Sequence, residues 1–293
     1  MQIFNCNLAN RFSNSCQNHL IMQFNFLRRN TLKKLIMSFV IIAALFIGCS
    51  DDSTGPALGN GSLKMYLVDS PSSFDSVIIF VSRVEVHRSG SNDNTGWFVI
   101  NNTLRSFDLL ELRNGASVVL GDSILQSGDY TQIRLILADG NYVIDNGVKH
   151  DLIVPSGSQT GIKLNHGFTI EPNTLYELIL DFNVDKSIHI TGNGKYMLKP
   201  VIRCMSMITS GTISGQVLPL DAQAIVFTTI GLDTVTTYPD TLGFFKLMAL
   251  PQGTYNVEFT PINPAYKDTV LTGVNVLANQ NSNIGLVELR TNP

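Results

Sequence analysis

The sequence predicts an all-β fold: two antiparallel β-sandwich domains in tandem behind a cleaved signal peptide. Three observations carry that expectation. After residue 60, apolar and polar residues alternate at period two, which places one face of each run on a core. Turn signals, among them Asp139-Gly140, Asn146-Gly147, Ser156-Gly157 and Gly192-Asn193-Gly194, separate the runs at short intervals. Only Asp108-Leu-Leu-Glu-Leu-Arg-Asn-Gly115 reads as a helical turn, stopped by Asn114-Gly115.

The first element is the leader. Residues 35–48 are an apolar run of 14, short of the ~20 needed to span a bilayer and fitting the core of a signal peptide. Arg28, Arg29, Lys33 and Lys34 precede the run and no acidic residue does, which is the charge pattern of a secretory signal. Residues 1–48 are therefore expected to direct export and to be removed. Met22-Gln-Phe-Asn-Phe-Leu-Arg-Arg29 makes a more usual signal start than Met1, so residues 1–21 stand as a candidate over-extended start.

Phe46-Ile-Gly-Cys49 resembles the lipobox of bacterial lipoproteins, with Phe46 where Leu is usual. The resemblance implies that the Cys49 thiol takes a diacylglyceryl group and becomes the new N-terminus. A covalent acyl anchor on Cys49 is then the only prosthetic group expected, and membrane lipid the first partner. Cleavage elsewhere, leaving Cys49 a free thiol, and an uncleaved signal anchor are the alternatives. Ser50-Asp51-Asp52 after the cysteine resembles the acidic signal that sends such lipoproteins to the cell surface. The expected location is the outer membrane, at the cell surface or otherwise on its periplasmic face.

Loss of residues 1–48 leaves 15 Lys+Arg against 23 Asp+Glu, a net charge of −8. Such a surface repels nucleic acid and anionic lipid headgroups. Cys6 and Cys16 leave with the signal and Cys49 is acylated, so Cys204 alone remains and no intramolecular disulfide can form. Stability must come from a core, and 245 residues suffice for one large domain or two ordinary ones. Cys204 reads as an inert, buried small hydrophobe.

Residues 49–60, rich in Gly, Ser and Asp, read as a flexible tether. The first sandwich is expected over residues 61–207. There Leu63, Met65 and Leu67 alternate with Lys64, Tyr66 and Val68; Ile133, Leu135 and Leu137 with Arg134 and Ile136; Tyr176, Leu178, Leu180 and Phe182 with Glu177, Ile179 and Asp181. Residues 142–154 read as a hairpin about Asn146-Gly147, a pair suited to the positive φ angles of a two-residue turn. The second sandwich is expected over residues 211–290. Seven short runs predict its strands: residues 211–217, 224–227, 243–247, 254–259, 267–270, 273–276 and 285–289.

Gly211-Thr-Ile-Ser-Gly-Gln-Val217, Asp240-Thr-Leu-Gly-Phe-Phe-Lys-Leu247 and Leu250-Pro-Gln-Gly-Thr-Tyr-Asn-Val257 resemble the carboxypeptidase regulatory-like, transthyretin-like family. That family is a seven-stranded sandwich also called a carbohydrate-binding-like fold, and the fold name does not by itself imply a glycan ligand. Residues 61–205 resemble a bacterial lipoprotein family catalogued as domain-of-unknown-function family 4382. Gly61-Ser-Leu-Lys-Met-Tyr-Leu-Val-Asp-Ser-Pro71, Ser127-Gly-Asp-Tyr-Thr-Gln-Ile-Arg-Leu135, Leu180-Asp-Phe-Asn-Val-Asp-Lys-Ser187 and Gly194-Lys-Tyr-Met-Leu-Lys-Pro-Val-Ile-Arg203 carry the likeness. It implies export and a β-sandwich, and no chemistry.

No catalytic constellation is legible. His87, His150, His166 and His189 fall on separate runs, and HExxH, CxxC, GxSxG, a Walker loop and a dinucleotide fingerprint are all absent. Asp69, Asp181 and Asp185 are candidate oxygen ligands for Ca²⁺, weighed against ordinary turn-forming aspartates. Trp97, Tyr66 and Tyr142 are candidate sugar-stacking platforms, with Tyr130 and Tyr196 as further aromatics, weighed against core packing. Ser53, Ser76, Ser123, Thr234, Thr241 and Thr269 each follow an aspartate in a pattern that resembles the acceptor of a bacterial O-glycosylation system. The plain alternative is an Asp-Ser/Thr turn entering a strand. The leading expectation is a non-catalytic envelope module that binds or presents a ligand or an envelope protein. A carbohydrate-binding accessory protein follows, and an enzyme with an unrecognised site comes third.

Overall fold

The computed structural model describes residues 59–92, 94–155 and 160–292. The signal segment, Cys49, Ser53, most of the tether and the Ser156-Gly157 turn lie outside the described residues. Residues 60–206 form β1 (Asn60–Ser70), β2 (Ser76–Arg88), β3 (Trp97–Asn101), β4 (Arg105–Asp108), β5 (Val118–Gln126), β6 (Gly128–Leu137), β7 (Tyr142–Asp145), β8 (Val148–Ile153), β9 (Ile162–Ile170), β10 (Leu175–Asn183), β11 (Ile188–Ile190), β12 (Tyr196–Leu198) and β13 (Ile202–Ser206). A four-stranded sheet ordered β13-β10-β1-β5 packs on a larger sheet ordered β11-β12-β8-β7-β2-β6-β9, with β3 and β4 also paired to β2.

The core between these sheets is built by the alternation. Leu63, Met65 and Leu67 of β1 and Leu178, Leu180 and Phe182 of β10 meet Val77, Ile79, Val84 and Val86 of β2 and Ile133, Leu135 and Leu137 of β6. The β7–β8 hairpin turns on Asn146 (φ 51°) and Gly147 (φ 74°), as the Asn-Gly pair requires. The expected helical turn is a 3₁₀ turn over Leu109–Leu112, capped by the Asp108 side chain on the Leu110 N–H and ended by Asn114 and Gly115 in left-handed conformation.

Residues 210–288 form β14 (Ser210–Leu218), β15 (Ala224–Ile230), β16 (Asp233–Thr237), β17 (Phe244–Pro251), β18 (Gly253–Pro261), β19 (Thr269–Val276) and β20 (Asn281–Glu288). Their sheets are ordered β17-β14-β20 and β16-β15-β18-β19. Between them lie Ile213, Val226, Phe245, Leu247, Val257, Phe259 and Val276. Phe245 and Phe259 meet edge to face, centroids 5.5 Å apart. Seven strands were expected and seven form, but the partition differs. Residues 267–270 and 273–276, read as two runs, fall on the single strand β19, which begins at Thr269 and carries a register shift opposite Tyr255/Val257, and Gly273 (φ 77°) lies within it. Asp233–Thr237, whose run of threonines hides the alternation, supplies the other strand. Pairing is mostly antiparallel, with parallel contacts at β1–β10, β8–β12 and β14–β20.

The described residues fall in one compact unit, Leu58–Pro293, and the two sandwiches meet inside it. Val68 and Ile179, on the outer face of the four-stranded sheet, are buried with Ala249 of β17 and flanked by Met205, Met207 and Met248. Period two therefore stops at Val68: from there to Ser70 every residue of β1 is buried, because both faces of the strand are covered.

Candidate functional site

The junction between the sandwiches holds two carboxyls that burial pushes upward. Asp69, near the end of β1, and Asp181 of β10 lie on adjacent strands, and Val68 pairs with Asp181. Both are buried. Asp181 accepts from Arg203 Nη2 at 2.6 Å. Neither carboxylate oxygen of Asp69 has a hydrogen bond of ordinary geometry, although the Val184 and Ser70 N–H groups point toward it and favour its charge. Burial first, then the Asp181 carboxylate, pushes Asp69 well above the usual carboxylate range. Burial also raises Asp181, against the pull of Arg203. Arg203 Nη1 and Thr237 Oγ1 are buried there without partners.

Asp69 and Asp181 line a cavity of about 20 Å³ closed by Thr237, Lys246 and Met248 of the second sandwich. That volume is the size of one water and admits no substrate. Asp69 is thus a strand residue sealed at a junction, not the turn former its Ser-Pro context suggested. Asp185 is exposed, in a helical turn (Val184–Ser187) capped by Asn183. Lys186 pairs with Asp233 across the junction at 3.3 Å, an exposed pair, rather than with Asp185. Among the described residues, no group of three or more His, Cys, Asp or Glu could hold a metal ion.

The three aromatic candidates do not share a face. Tyr66 is on the four-stranded sheet and donates to Glu177 Oε1 at 2.7 Å, with Lys64 Nζ 5.3 Å from its ring centre. Trp97 and Tyr142 are both on the larger sheet. Trp97 pairs with His87 and Tyr142 with Ile78, so roughly 30 Å of β2 separates them. Cations cover both rings: Arg134 Cζ stands 4.0 Å and Lys163 Nζ 5.9 Å from the Trp97 ring, and Lys149 Nζ 3.9 Å from that of Tyr142. Under Trp97, buried Glu85 accepts from Arg134 Nε at 2.7 Å and from Arg83 Nη1 at 3.3 Å. His87 Nε2 faces the Asn92 and Thr95 carbonyls at 3.0 and 2.9 Å, which fixes it as the protonated nitrogen. Tyr130 and Tyr196 are core residues.

The remaining candidates are scattered. His150 stacks on Tyr196 at 4.3 Å, His166 is held below the ordinary imidazole range by burial, and His189 is exposed on β11. Burial pushes the Cys204 thiol up to about 12, so it is no nucleophile at neutral pH. Ser76 Oγ is committed to Asp108 at 2.6 Å, Ser123 and Thr234 are half-buried, Thr241 is exposed, and Thr269 opens β19 half-buried.

Two open clefts lie mainly on the second sandwich, with Ser73 and Asn114 of the first at their edges. One, about 410 Å³, crosses the outer face of the β17-β14-β20 sheet beside Phe244, Gln216, Lys246 and Asn283. The other, about 500 Å³, adjoins it through Asp240 and is walled by Tyr238, Pro239, Leu220 and Ile262. A signal for the first was present: in Gly243-Phe-Phe-Lys a strand must send one of two adjacent rings outward.

No curated protein matches the chain. Among solved structures, a type II cohesin-X-dockerin complex from Acetivibrio cellulolyticus aligns at 21% identity over 28% of this chain and 58% of that one, with a TM-score of 0.23. The chain therefore spans little more than half of that protein. The shaft pilin SpaA of Lactobacillus rhamnosus GG aligns at 10% identity over 80% and 98%, TM-score 0.24. The Bacillus anthracis TIE protein aligns at 14% over 80% and 34%, TM-score 0.22. Residues 60–200, nearly the whole first sandwich, match the family model described as Domain of unknown function (DUF4382).

Proposed function

We propose that the chain is an exported envelope protein, anchored by an acyl group on Cys49, whose two sandwiches form a non-catalytic module that binds or presents a ligand. The observation that carries the non-catalytic part is the burial of both shifted carboxyls at the junction. Asp69 and Asp181, the pairing that would mark an acid–base site, share only a cavity of about 20 Å³, and in the wider cleft of about 180 Å³ that Asp181 also lines its carboxylate is taken by Arg203. The anchoring part rests on residues 28–52, where a basic segment, a 14-residue apolar run and Gly48-Cys49 stand in order before Ser50-Asp51-Asp52. The net charge of −8 after residue 48 argues against nucleic acid as partner. Labelled palmitate entering the wild-type chain and not Cys49→Ala, with the variant leaving the membrane fraction, is the expected result. Equal labelling of both would end the anchor reading, and protease treatment of intact cells assigns the leaflet. A second reading, that the ligand is a glycan, is favoured by the open cleft beside Phe244, which combines an exposed ring with amide, carboxylate and ammonium groups that retain free hydrogen-bonding capacity.

A further inference from the structure

The geometry points to a saccharide-binding groove on the outer face of the three-stranded sheet, with Phe244 as its stacking platform; this rests on the glycan reading above and gives that reading a site. Strand register sets the groove. Gln216 pairs with Phe244 on one side and Leu286 on the other, and the next outward row is Lys246, Ser214 and Asn283. Phe245 turns into the core at 2% exposure, while Phe244 is 49% and Leu286 52% exposed. An open aromatic ring offers its face to the C–H face of a pyranose, an apolar surface of matching size.

The polar atoms around that ring are each committed on one side only. Gln216 Nε2 donates to the Leu242 carbonyl at 2.8 Å, which leaves Oε1 to accept. Asn283 Oδ1 accepts from the Gly285 N–H at 2.9 Å, which leaves Nδ2 to donate. Asp240 Oδ1 takes the N–H groups of Leu242 and Phe244, both at 2.9 Å, which leaves Oδ2. Lys246 Nζ makes no ion pair among the described residues.

Acceptors and donors alternating beside one ring complement vicinal hydroxyls, each of which donates and accepts at once. An aliphatic ligand would bury these groups unpaired, at a cost that disfavours it. Gly285, at φ 75°, has nothing within 4 Å of where a Cβ would stand, so β20 leaves the groove open beside Leu286. The adjoining cleft shares Asp240 and adds Tyr238, so a chain of several sugars has a continuous path of about 410 and 500 Å³.

Affinity electrophoresis of the full chain in detergent, in gels containing laminarin, xylan, mannan, dextran or alginate, tests the assignment. The expected result is retardation by at least one polymer, with apparent affinity reduced on the order of tenfold in Phe244→Ala and lowered in Gln216→Ala, at unchanged melting temperature. Retardation that survives both substitutions and is lost in Trp97→Ala would sink this groove while keeping the glycan reading. Retardation by none of the five polymers would sink both.

Discussion

Asn114 closes the open edge of β17: its Oδ1 accepts from the Lys246 N–H at 2.7 Å and its Nδ2 donates to the Phe244 carbonyl at 3.0 Å. β17 is an edge strand, and without Asn114 its Lys246 N–H would be open to pairing with another chain, while the Phe244 carbonyl also accepts from the Asp240 N–H at 2.8 Å. A primary amide presents one acceptor and one donor much as a peptide group does, so one side chain of the first sandwich stands in for a missing strand of the second. Asn114 reaches this pose at φ 55°, a left-handed conformation that asparagine tolerates. Gly115 follows at φ 90°, and a Cβ there would meet Lys246 Cδ at 2.9 Å.

Asn114→Ala removes both bonds and leaves the Lys246 N–H without its partner, while the Phe244 carbonyl keeps the Asp240 N–H at 2.8 Å. The expected loss is about 1–3 kcal/mol, read as a lower denaturation midpoint. Asn114→Asp keeps the acceptor and loses the donor, so its midpoint should fall between the two. An alanine variant that melts with the wild type would show that the clamp contributes nothing.

Both sandwiches turn one corner with the same device. Tyr130 donates to the Gln126 carbonyl at 2.9 Å, and Tyr255 donates to the Pro251 carbonyl at 2.7 Å, each four residues back and each across a glycine, Gly128 and Gly253. The rings pack in the two cores, so each hydroxyl ties the incoming strand to the end of the outgoing one. Tyr130→Phe and Tyr255→Phe should each cost about 0.5–1.5 kcal/mol in chemical denaturation, and the double variant should show the sum. Losses within error of zero would leave the corner without a stabilising role.

What the sequence made legible was set by period two. The inward rows of β1, β6 and β10, the Asn146-Gly147 hairpin and the stop at Asn114-Gly115 all follow from local pattern and turn chemistry. The junction did not, because Val68, Ile179 and Met248 look like ordinary strand residues until a second sheet covers them. Asp69 reads in the sequence as either a Ca²⁺ ligand or a turn former, and only the fold shows that both faces of its strand are closed. Phe244 falls within the motif Asp240–Leu247 that carries the family resemblance, which assigns it no face. Which of two adjacent phenylalanines faces out depends on register against β14, and no local signal carries that.

The junction should weaken as pH rises. Asp69 faces Asp181 of β10, whose own partner is Arg203 of β13, with Asp185 near and Lys246 of β17 in the same cavity wall. Its folded pKa lies above the value of about 3.9 expected of the unfolded chain, so the folded state holds a proton that the unfolded state releases. Stability is therefore fullest below about pH 4 as far as this group is concerned, and declines as pH rises from there through the raised pKa. Asp181 shifts in the same direction and adds to the slope. Asp69→Asn cannot ionise, so it should flatten the fall in melting temperature between pH 5 and pH 8 and exceed the wild type at pH 8. A variant whose pH profile parallels the wild type would rule out Asp69 as the source.

Arg203 and Asp181 should prove asymmetric partners. The pair is largely buried, joined at 2.6 Å, with side-chain exposures of 20% and 9%. Arg203→Met removes the cation and leaves Asp181 beside Asp69 with no counter-charge, which is expected to cost about 3–5 kcal/mol. Asp181→Asn leaves a guanidinium that still reaches solvent in part, a smaller loss. The double variant removes both charges and should recover much of what Arg203→Met lost, because a desolvated lone carboxylate is worse than no ion pair. Denaturation midpoints of the four proteins at pH 7.5 form the cycle. Additive losses with no recovery would mean that the two side chains act independently and that the junction does not depend on their pairing.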